Sequence, residues 1–65
     1  MKIIYTEWLY NREILVVEGQ MTIPRRDERV ALANRIFKVV LVTHCYDAEK
    51  HYSAKVELEA IAHPL

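Results

Sequence analysis

Two histidines and the only cysteine of the chain lie close together. His44 and Cys45 are adjacent, and His51 follows the stretch Tyr46-Asp47-Ala48-Glu49-Lys50. Imidazole nitrogens and a thiolate are zinc ligands, and Asp47 would complete a set of four. The spacing matches no standard zinc motif, so no metal is assigned. A thiol beside an imidazole is also the raw material of a nucleophile and its base. Successive side chains of a strand point to opposite faces, which makes His44 a poor base for Cys45 and His51 the better placed one. A chain of 65 residues leaves little room for a substrate pocket. Glu57, Glu59 and Lys55, like Asp27 and Glu28, read as solvated charge, since a raised carboxyl pKa would require a pocket. The expectation is a protein that is not an enzyme, with no catalytic residues and no cofactor. Cys45 is then a small, half-buried hydrophobe.

The residues left over suit contact better than catalysis. Arg25-Arg26-Asp27-Glu28-Arg29 places three guanidinium groups in one short loop. Such forks grip carboxylates or phosphates in bidentate fashion, although the two acids within the run dilute its field. Tyr5, Trp8, Tyr10, Tyr46 and Tyr52 are more aromatic bulk than a tiny core encloses. Trp8 and Tyr52 are expected in the core, which leaves Tyr46 among the candidates for partner contact. In the run from Ile36 to His44, Phe37, Val39 and Leu41 share one face of a strand, and Ile36, Val40 and Val42 share the other. A one-layer core cannot bury both faces. Either a β-bulge turns Val42 inward, as the three-residue step from Val39 to Val42 allows, or the second face meets a partner. The candidate partner-binding residues are therefore Arg25, Arg26, Arg29, Ile36, Val40 and Tyr46.

Strands must carry all of these groups. Ile3-Ile4-Tyr5-Thr6-Glu7-Trp8-Leu9 is β-branched and aromatic, and Tyr10-Asn11-Arg12 can turn. Residues 13–18 hold Ile14-Leu15-Val16-Val17, a continuous apolar run that suits a strand covered on both faces. Met21-Thr22-Ile23 is a short extended piece ahead of Pro24. Residues 25–28 are loop, Arg29-Val30-Ala31-Leu32 is a half-exposed strand, and Ala33-Asn34-Arg35 turns tightly. Residues 36–45 form the clearest strand. Residues 46–50 close a hairpin, and residues 52–59 alternate, with Tyr52, Ala54, Val56 and Leu58 inward. Helical spacing competes over residues 27–34 and again over Ala54, Leu58, Ile61 and Leu65, where Pro64 stops whatever forms. Strands are assigned to both.

Five short strands without a crossover helix predict one mainly β domain over residues 1–65. The expected form is a small five-stranded antiparallel barrel, SH3-like or OB-like. The composition is globular, at 52% hydrophobic and 28% charged residues. Nine basic and nine acidic residues cancel, which lowers the prior for nucleic acid without excluding a basic patch. One cysteine permits no internal disulfide and suits a reducing compartment. No apolar run approaches a membrane span, and the first residues lack the features of a signal peptide. The chain is expected in the cytoplasm, the host's if the chain is viral.

The segment Ile23-Pro24-Arg25, Val30-Ala31-Leu32, Asn34-Arg35-Ile36-Phe37-Lys38-Val39-Val40-Leu41-Val42-Thr43-His44 and Tyr46-Asp47 resembles a pattern in small SH3-like barrel proteins of bacteriophages and prophages. In those, a Pro-Arg pair enters a strand that ends in a tight turn. An aromatic-x-Val-x-x-Val strand follows, and then a hairpin near Tyr-Asp. The resemblance spans roughly residues 21–59 and rests on core and turn positions. Arg26-Asp27-Glu28 stands where such proteins often carry Gly-Asp, so the loop is expected to differ in shape. The resemblance implies a fold and an origin but no reaction. The expectation is a small binding protein that acts by protein–protein contact, on itself as a homo-oligomer or on a host enzyme or defence component that it inhibits. Two alternatives stand beside it. One is a nucleic-acid-binding barrel using Arg25, Arg26, Arg29 and surface aromatics, and the other is a nucleotide-sequestering oligomer.

Overall fold

A computed structural model describes residues 2–19, 22–49 and 51–61. All regular structure among the described residues is β: β1 (Lys2–Glu7), β2 (Arg12–Glu18), β3 (Arg29–Leu32), β4 (Arg35–Tyr46) and β5 (Tyr52–Ala60). No helix of the described residues is long and apolar enough to cross a membrane. Of the two segments with competing helical spacing, residues 29–32 of the first and 52–60 of the second are strand, because Val30, Val56 and Tyr52 pack as β-branched and aromatic residues do on a pleated surface. Asp27, Ala33 and Asn34 lie in turns, Ile61 lies beyond β5, and Leu65 lies outside the described residues.

The sheet runs β2-β1-β5-β4-β3 and curls into a half-barrel. It is mixed, which corrects the expected antiparallel barrel. β1 pairs with β2, β3 with β4 and β4 with β5 in antiparallel fashion, but β1 lies parallel to β5. The intervening strands β2, β3 and β4 supply the long connection that a parallel neighbour needs, so no crossover helix is required. The sheet is also open. Among the described residues β2 has only β1 beside it and β3 only β4. Ile23 packs against the core on the concave side instead, from a loop in which residues 22–25 form no strand. The short extended piece expected there is therefore not a strand, and Met21 lies outside the described residues, as does Pro64.

The core is the concave face: Ile3 and Tyr5 of β1, Phe37 and Val39 of β4, and Ala54, Val56 and Leu58 of β5. The alternation expected of β5 is the alternation found. In β4 the register slips between Val39 and Leu41, so Val40 is an extra residue opposite β5. This bulge puts Val42 opposite the buried Val56 and turns Leu41 away, leaving Leu41 exposed. Leu41 thus does not share the face of Phe37 and Val39.

Three other expectations change for physical reasons. β2 is an edge strand of a one-layer sheet, so its apolar run is not covered on both faces and Leu15 is exposed. β1 ends at Glu7, and residues 8–11 turn, with Leu9 and Asn11 at positive φ. Trp8 therefore lies in a turn at 37% exposure, and the buried aromatics are Tyr5 and Phe37, with Tyr52 half-buried. Cys45 is exposed rather than half-buried, because it lies opposite Ser53 on the face of the sheet away from the core.

Candidate functional site

The β4–β5 hairpin carries the histidine and tyrosine chemistry. His44 lies opposite Ala54 on the concave face, and its Nδ1 is hydrogen-bonded to the Tyr52 hydroxyl at 2.6 Å. The two rings stack with centroids 5.7 Å apart, and Tyr46 packs on Tyr52 at 5.2 Å. Partial desolvation, and then the neighbouring Tyr46 and Cys45, push the Tyr52 phenol above its ordinary value of 10.0. Across the loop, Asp47 Oδ1 accepts from the backbone N–H groups of Glu49 and His51, each at 2.9 Å. The His51 ring lies 3.3 Å from Asp47 Oδ2 and 3.7 Å from Glu49 Oε2.

These positions separate the groups that sequence reasoning had joined. His44 is held by Tyr52 and His51 by the loop acids, so the two histidines do not converge. Cys45 lies opposite Ser53 on the other face from His44, with Sγ 3.9 Å from the Thr43 carbonyl oxygen. Among the described residues no group of three or more His, Cys, Asp or Glu side chains is placed to hold a metal ion.

The arginine loop is a built turn. The N–H of Glu28 donates to the Arg25 carbonyl at 3.1 Å, Asp27 adopts a φ of 73°, and the Glu28 carboxylate accepts from the Arg25 N–H. The N–H of Asp27 donates to the Val39 carbonyl at 2.9 Å, and the N–H of Val39 donates to the Glu28 carbonyl at 2.8 Å. The ladder begun by β3 therefore continues along β4 as far as Val39 and ends there. Beyond it, among the described residues, residues 41–46 have no backbone neighbour on the β3 side. The Val40 bulge bends the strand away from the loop, and Pro24 has no N–H with which to continue the ladder. A groove of about 460 Å³ opens between them, lined by Ile23, Pro24, Arg25, Arg26, Leu41, Val42 and His44.

Of the six expected contact residues, this groove brings together Arg25 and Arg26. Arg29 borders a second groove, which shares Ile23, Pro24 and Arg25 with the first and so brings Arg25 and Arg29 together beside Tyr5 and Val30. Tyr46 stands at the hairpin end beside Lys2, Glu18 and Asp47. Ile36 is half-buried opposite Ala31, and its carbonyl accepts from the Ile61 N–H at 3.2 Å. Val40 is the half-buried bulge residue. Sequence reasoning missed Leu41, whose exposure follows from the bulge, and the free backbone of residues 41–46. The signal was present in the unequal strand lengths: a four-residue β3 cannot cover a twelve-residue β4.

Comparison with protein families, with curated proteins and with solved structures finds no match for this chain.

Proposed function

We propose that this domain is a small non-catalytic binding module that acts by protein–protein contact, with a second copy of itself or with another protein. The observation that carries this reading is the open sheet. β2 presents Ile14-Leu15-Val16-Val17 at an edge with no outer neighbour among the described residues, and Leu15 and Leu41 are exposed. Unpaired edges with apolar side chains are templates for another chain. Exposed Leu9, Tyr10 and Tyr46 add apolar surface of the kind found at interfaces. An SH3-like lineage and a role as a phage-type inhibitor of a host protein belong to the same reading and rest on the sequence resemblance. The test is affinity capture from a bacterial lysate with and without nuclease, together with light scattering of the purified protein. Contact through apolar edges predicts nuclease-resistant complexes that depend weakly on salt. Complexes lost on nuclease treatment, with steep salt dependence, would favour nucleic acid instead. Two observations favour that second reading: Arg25, Arg26 and Arg29 form no ion pair among the described residues, and His44, Tyr52 and Tyr46 form an aromatic cluster.

A further inference from the structure

We propose that the free edge of β4 over residues 41–46, with the loop carrying Arg25 and Arg26 beside it, binds an extended acidic peptide segment by strand addition. This rests on the protein-binding reading and gives that reading a site and a partner chemistry.

Three features converge. The first is backbone. β4 has twelve residues and β3 four, and the hydrogen bonds of the loop stop at Val39. Alternate residues of the 41–46 stretch therefore offer N–H and C=O groups on the free side, while the residues between them point theirs toward β5. An added strand satisfies those groups, which is the source of affinity in β-augmentation. The second is the floor. Ile23, Pro24, Leu41 and Val42 line the groove, so alternate side chains of a bound strand meet apolar surface.

The third is charge, and it selects the occupant. Of the two acids within the loop, Asp27 lies 3.8 Å from Lys38, and the Glu28 carboxylate is taken by the Arg25 N–H. The guanidinium groups of Arg25 and Arg26 have no carboxylate partner among the described residues and sit on the groove rim. Arginine forks match carboxylates in bidentate geometry. A strand carrying Asp, Glu or a terminal carboxylate at the end near the loop pairs its backbone with β4 and its charge with these arginines. A long polyanion fits less well, because the whole chain has zero formal net charge and the arginine pair is local.

The test is selection of a random decapeptide library against the intact protein. The selected peptides are then measured with wild type, with Arg25→Glu/Arg26→Glu, and with oligo(dT) as competitor. Both arginines are exposed in a loop, so the double variant keeps the fold, and an unchanged melting temperature verifies this. The expected result is enrichment of peptides with carboxylates beside alternating apolar residues. Their affinity falls tenfold or more in the double variant, and N-methylation of alternate peptide nitrogens abolishes binding. Hydrogen exchange at amides within residues 41–46 slows on binding. Failure to select acidic peptides, affinity unchanged in the double variant, absence of amide protection in residues 41–46, or displacement by oligo(dT) overturns the proposal. If the selected peptides bind the double variant as tightly as wild type while that variant still captures the same lysate partner or still self-associates, this site is wrong and the protein-binding reading stands.

Discussion

Thr6 is the one buried polar side chain whose oxygen has no hydrogen-bond partner among the described residues. It sits between Glu13 of β2 and Glu57 of β5, where a β-branched side chain fits the pleat but the hydroxyl loses water without compensation. Thr6→Val keeps the shape and removes the penalty. It should raise stability by about 1 kcal/mol, read as a higher denaturant midpoint at unchanged slope. A fall in stability would show that the hydroxyl is satisfied in solution. Tyr52 makes a second prediction, in pH. Its phenol is raised above 10.0 by desolvation and by its neighbours, so the folded state favours the neutral form. That contribution is complete below the unfolded value of 10.0 and is lost as pH rises through the higher folded value. Alkaline titration should show one tyrosine ionising late, and Tyr52→Phe should remove both the late phase and its share of the alkaline loss of stability. Loss of the His44 contact at 2.6 Å comes with this variant, so the comparison is between slopes against pH and not between absolute midpoints.

At the scale of elements, the β3–β4 turn is the least adapted. Ala33 and Asn34 form a two-residue loop between the paired Leu32 and Arg35, with φ of 51° and 61°. Both central residues of such a turn need positive φ, which suits Asn-Gly and strains Ala. Ala33→Asn/Asn34→Gly should stabilise the domain by about 1 kcal/mol, measurable as a higher melting temperature. This turn was legible in the residues, as were all five strands and the inward set of β5, because period-two alternation and a turn-forming Asn are local signals. The core position of Phe37 and Val39 was equally legible. What local signals could not carry is which strands are neighbours. Nothing in Ile3-Ile4-Tyr5 indicates that its second partner is β5 in parallel, so the sheet was expected to be antiparallel throughout. Ile14-Leu15-Val16-Val17 is the pattern of a buried strand, and only the strand order makes it an edge. The same limit applies to the site. Arg25 and Arg26 were visible as a charged loop, but the groove beside them depends on the bulge at Val40 and on where the β3 ladder ends. Tyr46 and Ile36, chosen for their chemistry alone, lie elsewhere.

The molecule as a whole has more edge than its core can hide. A half-barrel of five strands keeps two free edges, where a closed barrel would have none. β3 is short and begins at Arg29, and the turn over residues 25–28 precedes it. β2 is longer, and its middle is uncharged from Ile14 to Val17. Zero formal net charge removes the repulsion that keeps small domains apart, and the charges that could blunt this edge, Arg12, Glu13 and Glu18, lie only at the two ends of β2. The bulge opposite Tyr5 and Thr6 disturbs the ladder near Ile14, so the regular part of the edge is Leu15 to Glu18. Leu15, opposite Tyr5 on the concave side and 42% exposed, is the residue that a neighbouring strand would cover. Val40, the other apolar candidate, is the half-buried bulge residue, so a charge there would perturb the strand itself. Leu15→Lys is the cleaner probe. Its long stem still covers apolar surface while its ammonium reaches water, so the monomer fold should survive. Light scattering over a concentration series is expected to show wild type moving above the monomer mass while Leu15→Lys stays at it, with equal melting temperatures at the lowest concentration. Wild type that remains monomeric at every concentration would mean that this edge is reserved for a different protein. Leu15→Lys should then weaken capture of that protein, whereas Arg25→Glu/Arg26→Glu reports only on the β4 groove.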